Sequence, residues 1–409
     1  MSNSSDATAL IQPTTKTVKV SECQNIDILS DLPDCVILHI LSFLNAKEAV
    51  RTCVLSSRWK DLWKCLPDLK LHSSHFRTIK IFTKFVSRVL SLRDSSIALH
   101  ALDLNRKGCI EPRLLKRIVN YAVSHNIQRL GLYFNCDIAQ IPPTIFSCQT
   151  LTYLNLSVFP IGKRPFFPKS LNLPALTTFH LQNFAFCADH DGRAEPFSDL
   201  SRLDSLVLCD CSVRDGIFLC ISSPTLVNFT VRSRFYDFYE IELCTPSLVS
   251  FAFIGKPCQI ISRSSLSSVK YVDIDAEMLD MDTKHPLILL SSLLGLVNTK
   301  SLTVTASTLQ VLSLYPDLFE IKLPSLGNLK SLKVKMKPLS YELRKILVYT
   351  KLQKIKSRKE AAELEKAYKA GLEPSSIIPE GIVEFLLQNS PSAEVDIVDW
   401  SWSNAHSIT

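Results

Sequence analysis

Glycine is scarce in this chain, with 10 residues among 409. None of the spacings GxGxxG, GxxxxGKS, GxxxxGKT or GxSxG occurs, so the sequence offers no phosphate-cradling loop and no nucleophile elbow. The nine histidines are dispersed, and none forms HExxH or a Cys/His metal spacing. We therefore expect a non-catalytic protein with no metal and no cofactor.

Long apolar runs and closely paired cysteines are absent as well. The longest apolar stretch, Leu287 to Val297, falls far short of the roughly 18 residues that span a bilayer. The N-terminus lacks the apolar core of a signal peptide. The 13 cysteines include no CxxC pair, which indicates free thiols in a reducing compartment. We therefore expect a soluble intracellular protein, in the cytoplasm or the nucleus, that does not use a membrane.

Basic charge is concentrated in one segment. The net charge is +7, and residues 340–370 hold nine Lys/Arg against four Glu, a local excess of five. Because no basic stripe runs through the rest of the chain, we expect no dedicated nucleic-acid surface. The segment is rich in helix formers and alternates in charge, which predicts a solvated helical insertion over residues 338–373. A basic patch for RNA, a membrane or an import receptor is the alternative interpretation.

The first ordered segment is predicted to be three short helices. Residues 1–26 are Ser/Thr-rich and aperiodic, as in a disordered arm. Pro33 suits the first turn of one helix, Asn45 caps a second, and Ser56 precedes a third that stops at Pro67. The first helix reads LPDCVILHILSFL, and its apolar arc covers roughly 220°, against roughly 100° for an ordinary surface helix. So wide an arc predicts a second surface that must be covered.

The stretch LPDCVILHILSFLNAKEAVRTCVLSSRWKDLWKCLP resembles an F-box. The resemblance implies that residues 27–70 bind a Skp-type adaptor, which in turn binds a cullin in a ubiquitin ligase. By motif position it implies adaptor contacts at Leu32, Pro33, Ile37, Leu41, Phe43, Leu44, Val54, Trp59 and Trp63.

An LxxLxL pattern recurs through the middle of the chain. The ten copies begin at Leu99, Ile127, Leu151, Leu176, Leu203, Leu226, Leu248, Val269, Thr299 and Leu329. Their spacings of 21 to 30 residues are close to those of leucine-rich repeats. One such unit cannot bury its own leucines, whereas units stacked side by side form a curved parallel sheet.

The whole chain resembles plant F-box proteins with leucine-rich repeats and an FBD segment. The expected fold is an α/β solenoid: a three-helix F-box, a leucine-rich-repeat horseshoe over residues 71–337, the insertion, and an FBD-like cap over residues 374–409. In that cap Ile382, Phe385 and Leu386 mark a helical face, and Val395 and Ile397 mark a strand.

A target protein, whose identity the sequence does not reveal, is expected on the face of the sheet opposite the leucines. Positions three, five and seven of each copy alternate with the core positions and should point there. Asp273 and Asp275 form a carboxylate pair on this face, but with no partner base we interpret it as an acidic patch. The candidate target-binding residues are Arg129, Tyr133, Tyr153, Asn155, His180, Arg232, Tyr271, Asp273 and Asp275.

Two functions of different class fit these observations. The first is a substrate-recognition subunit of a Skp–cullin–F-box ubiquitin ligase, which binds the adaptor through the F-box and a target through the repeats. The second is a leucine-rich-repeat scaffold or inhibitor that acts without ubiquitin and uses its F-box-like helices only as an N-terminal cap. Fold alone does not separate them.

Overall fold

The computed structural model describes residues 32–136, 141–160, 162–235, 237–262, 266–282, 284–371 and 377–399. The expected N-terminal arm, residues 1–26, lies outside them. The helices are α1 (Asp34–Ser42), α2 (Ala46–Arg51), α3 (Ile79–Leu92), α4 (Pro112–Ser124), α5 (Lys284–Leu294), α6 (Ala306–Ser313), α7 (Tyr341–Lys354), α8 (Arg358–Lys369) and α9 (Ile382–Leu386).

The strands fall into three groups according to the sheet that they join. The main sheet contains β1 (Asp68–His72), β2 (Ala101–Cys109), β3 (Arg129–Cys136), β4 (Tyr153–Pro160), β5 (Thr178–Gln182), β8 (Ser205–Cys209), β11 (Asn228–Ser233), β13 (Ser250–Gly255), β15 (Tyr271–Ala276), β16 (Ser301–Thr305), β17 (Ser331–Met336) and β18 (Glu394–Asp399). A four-stranded sheet contains β7 (Arg193–Ala194), β10 (Phe218–Ser222), β12 (Tyr239–Cys244) and β14 (Gln259–Ile261), and a two-stranded sheet contains β6 (Ala185–Cys187) and β9 (Ser212–Arg214).

The main sheet is parallel throughout and follows chain order from β1 to β18. Each of the ten LxxLxL copies coincides with one strand, and each of these strands begins at the third position of its copy. Neighbouring strands pair with equivalent positions opposite each other, for example Leu130 with Leu154 and Leu132 with Leu156. The structure thus confirms the parallel strands that the repeated pattern predicts.

The core lies on one side of this sheet. Positions four and six of the copies are buried, as at Leu102 and Leu104, which are 1% and 0% exposed. Each fully buried leucine contributes roughly 1.5 to 3 kcal/mol relative to an exposed one, so the stacked pairs are the main stabilising contacts of the sheet. The layer that covers these leucines changes along the chain. It contains α3 and α4 near the first strands, β7, β10, β12 and β14 in the middle, and α5, α6 and α7 near the last.

The predicted third N-terminal helix consists of two short 3-10 helices, Arg58–Lys60 and Leu62–Cys65. Asp61 interrupts the helix, since its φ of −115° lies outside the helical range. The two 3-10 segments still turn Trp59 and Trp63 inward, where they are 3% and 9% exposed.

A buried arginine joins these N-terminal helices to the sheet. Arg93, at the end of α3, is 5% exposed. Its guanidinium donates to the carbonyl oxygen of Leu66 at 2.9 Å, of Ile97 at 2.8 Å and of Ala98 at 2.9 Å. Lys70 of β1 adds a bond to the carbonyl oxygen of Ser42, at the end of α1, at 2.9 Å. The two cations therefore satisfy carbonyl groups on both sides of the junction.

The charged segment near the C-terminus divides into two unlike helices. One face of α7 is buried, with Leu343 at 0% and Ile346 at 5% exposure, whereas α8 has no buried residue among those described. The expectation of a solvated insertion therefore fits α8 but not α7, because the leucines and isoleucine of α7 extend the core. The helix and the strand expected after it are present as α9 and β18, which pairs with β17.

We predict that Arg93→Met lowers the free energy of unfolding by about 2 kcal/mol or more, because it leaves the buried Leu66 carbonyl and the part-buried carbonyls of Ile97 and Ala98 without this donor. Urea denaturation followed by tryptophan fluorescence measures the change. Arg88→Met, on the exposed side of the same helix, is the control and should stay within about 0.5 kcal/mol of the parent protein. A loss below about 1 kcal/mol for Arg93→Met would contradict this role.

The difference between α7 and α8 yields a second prediction. Leu343→Ala should destabilise the protein by about 2–5 kcal/mol because it opens a cavity. Leu364→Ala, on the half-buried face of α8, should cost less than about 1 kcal/mol. Thermal denaturation of the two single variants compares them directly, and equal losses would show that α8 also belongs to the core.

Candidate functional site

The helix α1 presents a stripe of apolar side chains to solvent. Pro33 precedes the first turn, and the helix then exposes Val36 at 39%, Ile40 at 37% and Phe43 at 70%. These residues recur every three or four positions, the spacing that places side chains on one helical face. The adjoining face carries Ile37 and Leu41, both 0% exposed. The wide apolar arc of the sequence therefore has one buried side and one open side.

Two further apolar residues are open to solvent just after α2. Val54 is 83% exposed and Leu55 is 56% exposed. An ion pair between Asp34 and Arg58, 2.6 Å from oxygen to nitrogen, ties the start of α1 to the segment that follows these residues. We name Pro33, Val36, Ile40, Phe43, Val54 and Leu55 the α1 surface.

The structure sorts the nine predicted adaptor contacts into three classes of exposure. Ile37, Leu41, Trp59 and Trp63 are buried, Leu32 and Leu44 are half-buried, and Pro33, Phe43 and Val54 are exposed. The four buried residues shape the helices rather than offering contact area. The adaptor contacts predicted by motif position do not include Val36, Ile40 or Leu55, although Val36 and Ile40 belong to the wide apolar arc of the sequence.

A second surface lies on the solvent-facing side of the main sheet. The Arg129 guanidinium stands 4.5 Å from the centre of the Tyr153 ring, and the Tyr153 and His180 rings are 5.4 Å apart. The Tyr133 ring contacts Phe159 at 4.7 Å between centres. We name this group the aromatic–arginine cluster; its members are Arg129, Tyr133, Tyr153, Phe159, His180 and Arg232. Phe159 is its one member absent from the predicted set.

Burial, and then the neighbouring Arg232, lower the pKa of His180, so its ring is neutral at neutral pH. Burial also raises the pKa of the Cys209 thiol to about 11, which keeps this neighbour protonated. Asn155 accepts a hydrogen bond from the Ser157 hydroxyl at 3.0 Å, beside the Tyr153 ring. The fixed charge of the cluster therefore comes from its two arginines, and its aromatic rings suit cation–π and stacking contacts with a partner.

The remaining target-binding candidates lie six strands away from Arg129, at ~29 Å. Asp273 binds Lys335 at 2.8 Å, and Asp275 binds Lys337 at 2.9 Å. Burial alone would lower the pKa of Lys337, but Asp275 and Glu277 hold it above its ordinary value. The negative charge of the predicted acidic patch is therefore neutralised by two lysines, one within β17 and one just after it. Tyr271, 53% exposed, stands beside it.

The described part of the chain shows neither a metal-binding group nor a membrane-spanning helix. It contains no group of three His, Cys, Asp or Glu side chains arranged to hold a metal ion. None of its helices combines the length and the apolar character that crossing a membrane requires.

Comparison with known proteins supports the resemblance seen in the sequence. Residues 29–71 match the F-box domain. An F-box/FBD/LRR-repeat protein of Arabidopsis thaliana is 28% identical over 344 residues, which cover 78% of this chain and 74% of the relative. An F-box/LRR-repeat protein of the same plant is 29% identical over 338 residues, 76% of this chain and 85% of the relative. An FBD-associated F-box protein, also from Arabidopsis thaliana, is 26% identical over 406 residues, 90% of this chain and 88% of the relative.

The burial pattern at the end of α1 predicts a large effect for Leu41→Ala and a small one for Phe43→Ala. Leu41→Ala should lower the free energy of unfolding by about 2–5 kcal/mol, since Leu41 is fully buried. Phe43→Ala should change it by less than about 0.5 kcal/mol, because most of that ring already faces water. Urea denaturation monitored through the fluorescence of Trp59 and Trp63 reports on this part of the chain. A large loss for Phe43→Ala would show that the ring packs inward.

Proposed function

We propose that this chain is the substrate-recognition subunit of a Skp–cullin–F-box ubiquitin ligase. Its F-box binds a Skp-type adaptor, and through the adaptor a cullin, while its repeats bind a target protein. The chain itself performs no chemistry in this proposal. It holds the target near a conjugating enzyme that carries ubiquitin, and this proximity increases the rate of ubiquitin transfer.

The observation that carries the proposal is the α1 surface. Six apolar side chains stand open to solvent within residues 33–55, inside the segment that matches the F-box domain. Exposed apolar area of this density is typical of a protein–protein interface. We assign direct adaptor contact to Pro33, Phe43 and Val54 from the predicted set, and we add Val36, Ile40 and Leu55. Leu32 and Leu44 are placed at the rim of this contact.

We further propose that the main sheet and its covering layer form a leucine-rich-repeat solenoid. The recurrence of the copies every 21 to 30 residues and their in-register strands support it. The proposed units are the F-box over residues 27–70, the repeats over residues 71–337, the charged segment over residues 338–373 and an FBD-like cap over residues 374–409. In this division α7 packs against the repeats, and β18 adds a further strand to them.

Within the solenoid we propose that the target binds the aromatic–arginine cluster. Aromatic and Arg side chains supply most of the binding energy in protein interfaces. Asp273 and Asp275 are weaker candidates, because a partner would have to displace Lys335 and Lys337 from them.

The alternative is a repeat protein that binds its partner without ubiquitin. In that case the N-terminal helices serve only to cover the first strand of the sheet. The exposed α1 surface argues against it, since a cap needs an apolar inner face but not an apolar outer one. Binding of a purified Skp-type adaptor by the full chain separates the two functions.

We predict that Phe43→Ser combined with Val54→Ser weakens adaptor binding at least a hundredfold. Each apolar side chain contributes roughly 1.5 to 3 kcal/mol when an interface buries it, and 1.4 kcal/mol corresponds to a factor of ten. Isothermal titration of the full chain with purified adaptor measures the change.

The matched control is Ile217→Ser combined with Ile260→Ser, which removes two exposed isoleucines from the middle of the chain. This variant should bind the adaptor like the parent protein. Unchanged affinity of the Phe43/Val54 variant would move the adaptor site away from the α1 surface. Failure of the parent protein to bind any Skp-type adaptor would favour the scaffold.

A further inference from the structure

The last strand of the main sheet has an open edge. β18 pairs with β17 on one side, and no other strand of the described part of the chain pairs with it. The Glu394 N–H donates to the Lys330 carbonyl oxygen at 2.9 Å, and Val395 and Ile397 occupy the alternate positions of the strand. Successive residues of a strand point their N–H and C=O groups to opposite sides. The N–H and C=O groups of Val395 and Ile397 therefore point away from β17.

The side chains of Val395 and Ile397 continue a row of core residues that is not covered here. They pair with Leu332 and Val334 of β17, both 0% exposed, and lie on the same face of the sheet. Val395 and Ile397 are nevertheless 40% and 54% exposed. The equivalent leucines of β1, at the other end of the sheet, are buried. The edge at β18 therefore combines unpaired main-chain groups with apolar side chains that a further strand would cover.

Charges on the solvent-facing side of the same strands alternate in sign. Asp273 of β15 binds Lys335 of β17 at 2.8 Å, and Lys333 of β17 lies 3.5 Å from Asp396 of β18. Acidic β15 is thus followed by basic β17 and then by acidic β18, with β16 uncharged between the first two. A basic strand beyond β18 would continue this alternation.

A second copy of this chain does not suit the edge. Glu394 and Asp396 are exposed and lie on one face of β18. Lys333 stands opposite Asp396 on β17, whereas the neutral Ser331 stands opposite Glu394. Two β18 edges paired with each other would bring carboxylates against carboxylates, which destabilises a pair of strands. The acidic side chains therefore disfavour self-association and favour a cationic partner.

We propose that β18 binds an extended segment of a partner protein, which adds one strand to the main sheet. The segment is about six residues long and alternates Lys or Arg with apolar residues. Its main chain bonds to the open groups of Val395 and Ile397, and its apolar side chains cover theirs. Its cations face Glu394 and Asp396.

This edge is separate from the other two surfaces. β18 lies nine strand spacings from β3, where the aromatic–arginine cluster begins, or ~43 Å along the sheet. The α1 surface lies beyond β1, further away still in strand order. A partner at β18 therefore leaves both surfaces accessible.

Three synthetic peptides test the proposal on the full-length chain. In the first, four lysines alternate with three valines. The second has the same composition with the lysines and the valines in separate blocks, and the third has glutamate in place of every lysine of the first. Each carries an N-terminal tetramethylrhodamine and is titrated by fluorescence anisotropy. We expect the alternating basic peptide to bind about tenfold more tightly, or better, than either of the others.

Charge variants test the cationic preference. Glu394→Gln combined with Asp396→Asn should weaken binding of the alternating basic peptide by about tenfold or more, because both facing carboxylates are lost. The matched control, Glu363→Gln combined with Glu365→Gln, removes the same charge from exposed positions of α8 and should change the affinity less than about twofold. Melting curves establish that each variant is folded.

Two substitutions at Ile397 test the main-chain pairing. Ile397→Pro and Ile397→Ala both remove the isoleucine side chain, but only proline also removes the N–H. This N–H points away from β17, and edge strands tolerate proline at such a position. The proline variant should bind the alternating basic peptide about tenfold more weakly, or worse, than the alanine variant.

Hydrogen exchange locates the bound edge residue by residue. In the protein alone the amides of Val395 and Ile397 should exchange rapidly, and those of Asp396 and Val398, which point to β17, slowly. Saturation with the alternating basic peptide should slow Val395 and Ile397 about tenfold or more and leave the other two nearly unchanged. Mass spectrometry with electron-transfer fragmentation resolves the single amides.

Four results would overturn the proposal. They are equal binding of the alternating and block peptides, equal affinities of the proline and alanine variants, slow exchange of Val395 and Ile397 in the protein alone, and a dimer of the chain that excludes the peptide. The third would show that the edge is already occupied, and the fourth, seen by sedimentation velocity, would assign it to a second copy. Adaptor binding enters none of these measurements, so the outcome is independent of the ligase function.

Discussion

The structure depends on one packing constraint: each strand of the main sheet carries apolar residues that it cannot bury by itself. Side-by-side stacking solves the problem for interior strands, as at Leu154 and Leu156, both 0% exposed. It leaves a problem at each end of the stack. At the first end α2 packs against β1, and Trp63 and Leu66 complete the cover. At the other end Val395 and Ile397 of β18 stay 40% and 54% exposed, so the described residues close the two ends unequally.

This constraint applies to one face of the sheet and leaves the other face free for charge and aromatic groups. On the buried face nearly every position is Leu, Ile, Val or Phe, because the packing admits little else. On the solvent face the side chains differ from strand to strand. Arginines and rings collect on β3 to β11, and paired carboxylates and lysines on β15 to β17. A sheet that is nearly uniform inside therefore has two chemically distinct regions outside.

The parts of the fold that repeat at short range could be predicted from the sequence, and the parts that depend on distant contacts could not. All ten copies coincide with strands of the main sheet, since alternation within six residues determines them. Which side of α1 is buried depends instead on residues that follow the helix in the chain. The 220° apolar arc alone therefore did not reveal that Leu41 is buried while Phe43 is exposed. Likewise Lys337 reaches Asp275 across 62 residues of sequence, which no local pattern indicates.

The junction at Arg93 determines how the two surfaces are related in space. Its guanidinium bonds fasten the end of the N-terminal helices to the start of the sheet without a long linker between them. β3, where the aromatic–arginine cluster begins, is only two strands from β1, or ~10 Å along the sheet. On the proposed function, a target bound at the cluster would lie near the adaptor end of the chain, whereas the carboxylate–lysine region lies at the distant end. A rigid, short connection matters for a subunit that acts by proximity, because a fixed geometry raises the effective concentration of target at the transferring enzyme.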